Sequence, residues 1–76
     1  MKAYVLIKIH VGKVNEVVKS LRKVDGVIEA HMTFGPYDAV AEGETKDVTT
    51  LGAITPSMIQ PISGVEQTLT CLAVDI

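Results

Sequence analysis

Residues 14–34 read VNEVVKSLRKVDGVIEAHMTF, and the apolar period changes partway through. Up to residue 24 the aliphatic side chains Val14, Val17, Val18, Leu21 and Val24 recur as one stripe of a helix. Lys13, Glu16, Lys19, Arg22 and Lys23 fall mostly on the opposite side. From residue 27 the pattern alternates, with Ile28, Ala30, Met32 and Phe34 on one side and Val27, Glu29, His31 and Thr33 on the other. That is the period of a strand. Asp25-Gly26 separates the two patterns, and Gly26 suits the left-handed residue that stops a helix. A helix followed directly by a strand is therefore expected.

Upstream, residues 2–10 form a strand with apolar residues on both faces: Ala3, Val5, Ile7 and Ile9 alternate with Tyr4, Leu6, Lys8 and His10, and Gly12 ends it. Downstream, Gly35-Pro36 marks a turn, and residues 37–43 return as the second strand of a hairpin. Thr45 is expected to cap a second helix, with Asp47 in its first turn. Its stripe runs Val48, Leu51, Thr55, Met58 and Ile62. Pro56 removes a backbone donor inside that stripe and should kink or split the helix, and Pro61 ends it. Residues 65–75 form the last strand. Val65, Leu69, Cys71 and Ala73 are expected toward the core, and Thr68, Thr70, Leu72, Val74 and Ile76 on the other face.

The order is β-α-β-β-α-β, an α+β fold. The halves echo each other: Asp25-Gly26-Val27 follows the first helix, and Ser63-Gly64-Val65 follows the second, 38 residues later. One four-stranded antiparallel sheet with both helices on one face is expected, as a single domain over residues 1–76. The helices then leave the other sheet face uncovered. Tyr4, Leu6, Leu72, Val74 and Ile76 are expected there, so two chains should pack sheet to sheet or edge to edge.

Length and composition agree. A chain of 76 residues buries only a modest part of its surface and usually needs a disulfide, a metal or a partner. One cysteine, Cys71, cannot form an internal disulfide, so oligomerisation is the expected solution. Hydrophobic residues make up 47% of the chain and only three residues are aromatic, which is much aliphatic surface for little interior. The formal charge of −2 weighs against direct nucleic-acid binding, which needs a concentrated basic face. The longest apolar run, Ala3 to Ile7, is too short for a membrane span or a signal sequence, so a cytoplasmic protein is expected.

Catalytic and metal chemistry find little support. His10 and His31 lie on strands beside charged neighbours, with no cysteine pair or carboxylate cluster to complete a metal site. Cys71, mid-strand and expected inside, lacks an activating base and should be an inert thiol. The strand Tyr37 to Gly43 lacks the basic and aromatic run of an RNA-binding sheet. No cofactor is expected. What remains is Gly35-Pro36-Tyr37-Asp38. Read plainly it is a hairpin turn. Read functionally it is a small-molecule pocket, in which Gly35 lets a ligand approach the backbone and Asp38 pairs with an ammonium. Thr68 and Thr70 add two hydroxyls on one face of the last strand, although threonines also stabilise sheets.

These residues carry a resemblance. The opening Ala3-Tyr4-Val5-Leu6-Ile7-Lys8-Ile9 and the turn Thr33-Phe34-Gly35-Pro36-Tyr37-Asp38 are similar to the C-terminal effector-binding (RAM) domain of the Lrp/AsnC family of transcription regulators. So is the closing Ile62-Ser63-Gly64-Val65-Glu66-Gln67-Thr68-Leu69-Thr70. The resemblance implies a ferredoxin-like, dimeric α/β fold. It implies dimers that assemble further, commonly as a tetramer of dimers, with amino-acid effectors held between dimers. By resemblance the ligand site is Gly35, Pro36, Tyr37, Asp38, Thr68 and Thr70, although Pro36 lacks the N–H that others can offer. The helix-turn-helix usual in the family is not among these 76 residues, so the stand-alone form of the module is expected. It would then act as an amino-acid sensor, or by modulating full-length Lrp/AsnC regulators in the control of amino-acid metabolism. Two alternatives stay open: a small dimeric α/β-barrel enzyme built around His10 or His31, and a purely structural oligomeriser.

Overall fold

The computed structural model describes residues 1–74. Its elements are β1 (Lys2–Ile9), α1 (Val14–Leu21), β2 (Val27–Met32), β3 (Ala39–Glu44), α2 (Val48–Ile54), a π-helical turn (Thr55–Ile59) and β4 (Val65–Leu72). The four strands form one antiparallel sheet in the order β2-β3-β1-β4. This is the expected βαββαβ ferredoxin-like arrangement.

The helix side of the sheet is floored by Ala3, Val5, Ile7 and Ile9 of β1 with Ala30, Ala39 and Ala41 beside them. Val17, Val18 and Leu21 of α1 close over it, as the helical stripe requires, with Val14 and Val24 at its ends. Leu51, Ile54 and Ile59 cover the rest. On β3 the inward positions are all small residues, Ala39, Ala41 and Gly43, and all are buried. Just before β4, Gly64 has φ +101, and a Cβ there would lie 2.9 Å from Cβ of Lys13, the residue that precedes α1. Only glycine fits that close approach without strain.

Local details depart from the sequence reading. α1 ends at Leu21, and Lys23 and Val24 donate to carbonyls three residues back, so Gly26 (φ 93) serves the turn into β2 rather than the helix end. The cap of α2 is Asp47, whose carboxylate accepts the Thr50 N–H at 2.7 Å, and Thr45 braces it by donating to the Asp47 carbonyl. Hydrogen bonds from Thr50 hold the Asp47 carboxyl below its ordinary pKa. Met58 was expected inward but is exposed, and Ile59 is buried instead. The Gln60 N–H donates to the Thr55 carbonyl at 2.9 Å, closing a turn wider than an α turn, so the inward position falls one residue later.

β4 corrects the largest expectation. The β1–β4 register shifts between Lys8 and Ile9: Ile9 pairs with Val65, whereas Lys8 pairs with Gln67. This bulge leaves Glu66 as the extra residue and flips the parity of everything after it. Val65 packs against the core as expected. Leu69 and Cys71 lie opposite Leu6 and Tyr4 on the uncovered face, and Cys71 is exposed rather than buried. Thr68, Thr70 and Leu72 lie opposite Ile7, Val5 and Ala3 on the helix side. The uncovered face is therefore built from Tyr4, Leu6, Val40, Leu69 and Cys71, not from Leu72. A second bulge, between Val27 and Glu29, likewise turns Val27 inward and leaves Ile28 exposed. Ile76, also expected on the uncovered face, lies outside the described residues.

Candidate functional site

The loop between β2 and β3 is tied down at both ends. The Thr33 N–H donates to the Asp38 carbonyl at 3.0 Å, and the Thr33 hydroxyl donates to the Tyr37 carbonyl at 2.9 Å. The Asp38 N–H donates to the Ile7 carbonyl at 2.9 Å, extending the β3 ladder one step beyond Ala39. One carboxylate oxygen of Asp38, Oδ2, accepts the Ile9 N–H at 2.8 Å. Asp38 thus has a structural task that its place in a turn did not reveal: it satisfies the last amide of β1 on the side where β3 has ended. Among the described residues no cation pairs with this half-buried carboxylate.

Above Asp38 opens a groove of about 380 Å³ lined by Val14, Met32, Thr33, Phe34 and Asp38. Three of its walls are apolar, and one of them, Phe34, is wholly exposed at 109%. Gly35 leaves open space where a side chain would stand, so the backbone beside the groove is accessible. Pro36 is exposed and Tyr37 half-buried in the same loop.

Thr68 and Thr70 do project from one face, but it is the helix face, and both hydroxyls are engaged. Gln60 Nε2 donates to Thr68 Oγ1 at 3.1 Å, and the Thr55 and Thr70 hydroxyls lie 2.9 Å apart. β1 separates them from Asp38, since β3 and β4 flank it on opposite sides. At ordinary strand spacing that is roughly 10 Å across the sheet. The groove at Asp38 includes neither threonine, and the small space beside Thr70 under the π-helical turn does not reach the loop. A single chain therefore does not join the two halves of the expected site into one cavity.

The histidines stand apart from both halves. His10 Nδ1 lies 3.8 Å from Glu66 and His31 Nε2 3.3 Å from Glu29, all exposed. Among the described residues no cluster of three potential metal ligands occurs. Among the same residues no helix is long and apolar enough to cross a membrane. The sequence patterns assigned Val14, Met32, Phe34 and Thr55 structural places only and did not single out Gln60. One signal was available for Phe34: a turn ordinarily takes small or polar residues, and an aromatic beside Gly35-Pro36 is out of place there.

The βαββαβ arrangement places the chain among small ferredoxin-like α+β domains. Residues 2–76 match the family described as the Lrp/AsnC ligand binding domain, and the chain belongs to that family. A curated relative, the HTH-type transcriptional regulator FL11 of Pyrococcus horikoshii, is 36% identical over 72 residues, which are 95% of this chain and 47% of that protein. The HTH-type transcriptional regulator Ptr1 of Methanocaldococcus jannaschii is 35% identical over 54 residues, 71% of this chain and 36% of that one. The chain thus spans about half the length, or less, of these relatives. Among solved structures, TTHA0845 from Thermus thermophilus superposes with a TM-score of 0.92 at 33% identity, covering 99% of this chain and 94% of its own. AsnC of E. coli superposes with a TM-score of 0.89 at 20% identity, over 99% of this chain and 51% of that one.

Proposed function

We propose that this chain is an amino-acid-responsive regulatory module. A free amino acid binds at Gly35, Pro36, Tyr37 and Asp38 of one chain, together with Thr68 and Thr70 presented by a neighbouring one. The carrying observation is Asp38: a half-buried carboxylate that no cation pairs among the described residues, lining a largely apolar groove, in a domain of a ligand-binding family. The separation of the threonines from Asp38 within one chain supports a site assembled between copies. A protein of this fold, the transcriptional regulator NMB0573 of Neisseria meningitidis, was solved as a complex with L-Met.

Dimers form through the uncovered face of Tyr4, Leu6, Leu69 and Cys71, and four dimers close a larger assembly. A ligand held between dimers binds the assembled state better and so must favour it. The readout is either direct sensing or mixed assembly with full-length Lrp/AsnC regulators in the cytoplasm, and the module has no catalytic step. Calorimetry against the twenty amino acids with native mass spectrometry tests the reading. Saturable binding that shifts the oligomer supports it. No binding and an unchanged oligomer refute it and leave the purely structural oligomeriser.

A further inference from the structure

Phe34 is the residue the fold does not use. It is fully exposed at 109%, beside Met32 at 58%, and both line the groove above Asp38 with Val14. An aromatic ring in water at a hairpin tip contributes nothing to the isolated fold, and its burial is favourable only when something covers it. Met32 adds an unbranched, polarizable wall able to adapt to different apolar shapes. The groove therefore joins two unlike features. Asp38 contributes a carboxylate that is held by the Ile9 N–H and has no cation beside it among the described residues, and the rest of the lining is mostly hydrocarbon. A matching occupant has a cationic head and an apolar body.

We propose that this groove is the side-chain subsite of the effector, and that Val14, Met32 and Phe34 restrict the effector to amino acids with apolar side chains. The inference rests on the amino-acid reading above and adds its specificity. The ligand ammonium faces the Asp38 carboxylate, and its side chain lies over Met32 and against Phe34. An acidic side chain would bring a second carboxylate beside Asp38, and a second ammonium on a basic side chain would lose hydration against hydrocarbon without a partner.

The test is calorimetry on the full chain with L-leucine, L-methionine, L-phenylalanine, L-alanine, L-lysine and L-aspartate, repeated on Phe34→Ala and Asp38→Asn. Phe34→Ala should fold normally, because the ring is in solvent. The expected result is that the three large apolar amino acids bind at least about tenfold more tightly than L-lysine or L-aspartate. Phe34→Ala should weaken those three by about tenfold and leave L-alanine, whose methyl is too short to reach the ring, nearly unchanged. Asp38→Asn should weaken all of them. Tighter binding of L-lysine or L-aspartate overturns the specificity while leaving the amino-acid reading intact. So does a Phe34→Ala chain with unaltered affinities, or one whose only change is a smaller oligomer, which would make Phe34 a contact between copies. No binding by any amino acid overturns both.

Discussion

Replacing Asp38 with alanine removes the acceptor of the Ile9 N–H, a 2.8 Å bond at the end of the central strand. Ile9 is buried, so its amide would lose its partner in a place that water reaches poorly. A hydrogen bond to a charged acceptor contributes about 1.5–3 kcal/mol, and a bared buried donor costs a similar amount. Asp38→Ala should therefore lose about 2–3 kcal/mol. For a domain of this size that lowers the melting temperature by roughly 10–20 °C. Asparagine keeps an oxygen in the same place, so Asp38→Asn should lose only about 1 kcal/mol. The measurement is urea and thermal unfolding of the three proteins at one fixed concentration, since assembly also contributes to apparent stability. Amide exchange at Ile9 reports the bond directly and should accelerate in Asp38→Ala alone. If the alanine variant lies within about 0.5 kcal/mol of the parent, or the asparagine variant falls as far as alanine, the bond does not hold the strand end and this reasoning fails. The distinction also matters for function, because the alanine variant loses ligand charge and local fold together, whereas asparagine removes mainly the charge.

Gly64→Ala should destabilise by about 2–4 kcal/mol in urea titration, from a left-handed backbone and a Cβ pressed against Lys13 and Val17 of α1. Thr70→Val strands the Thr55 hydroxyl, which is buried, and should cost about 1–2 kcal/mol in the same assay, whereas Thr70→Ser should restore the pair. Cys71 lies beside Tyr4 on the uncovered face, so its reaction with a thiol reagent should slow as protein concentration rises, and a rate independent of concentration would argue against a dimer through that face. The Asp47 carboxyl is held below its unfolded value of 3.8, so its cap strengthens α2 fully above that pH and is lost as pH falls through the lower folded value. Asp47→Ala should accordingly weaken protection of the Thr50 amide at neutral pH, with the difference from the parent vanishing in acid.

The element order was legible because the apolar period changes cleanly, from the stripe Val14–Val24 to the alternation Val27–Phe34 and back. Which face of β4 turns inward was not. Val65 is correctly a core residue, but the bulge at Glu66 inverts every later position, and apolar residues occupy both faces, so no periodicity warns of the inversion. Ile59 replaced Met58 for a related reason: a π turn changes the residues per turn, and Pro56 signalled a break without stating its geometry. At the site, Gly35 to Asp38 could be located as a loop. The engagement of Asp38 with Ile9, and of Thr68 and Thr70 with Gln60 and Thr55, joins residues far apart in sequence and became visible only with the fold.

Met1 is fastened to the opposite end of β1 from the groove. Its amine donates to the Thr45 carbonyl at 2.9 Å, while the Thr45 N–H donates back to the Met1 carbonyl. The strand between them places this amine roughly 25 Å from Ile9 and Asp38, at the rise of an extended chain. An affinity tag or fluorophore attached there would stay clear of an incoming ligand. It would also compete with the Thr45 latch, so a short flexible spacer ahead of Met1 is the safer way to build a reporter from this domain.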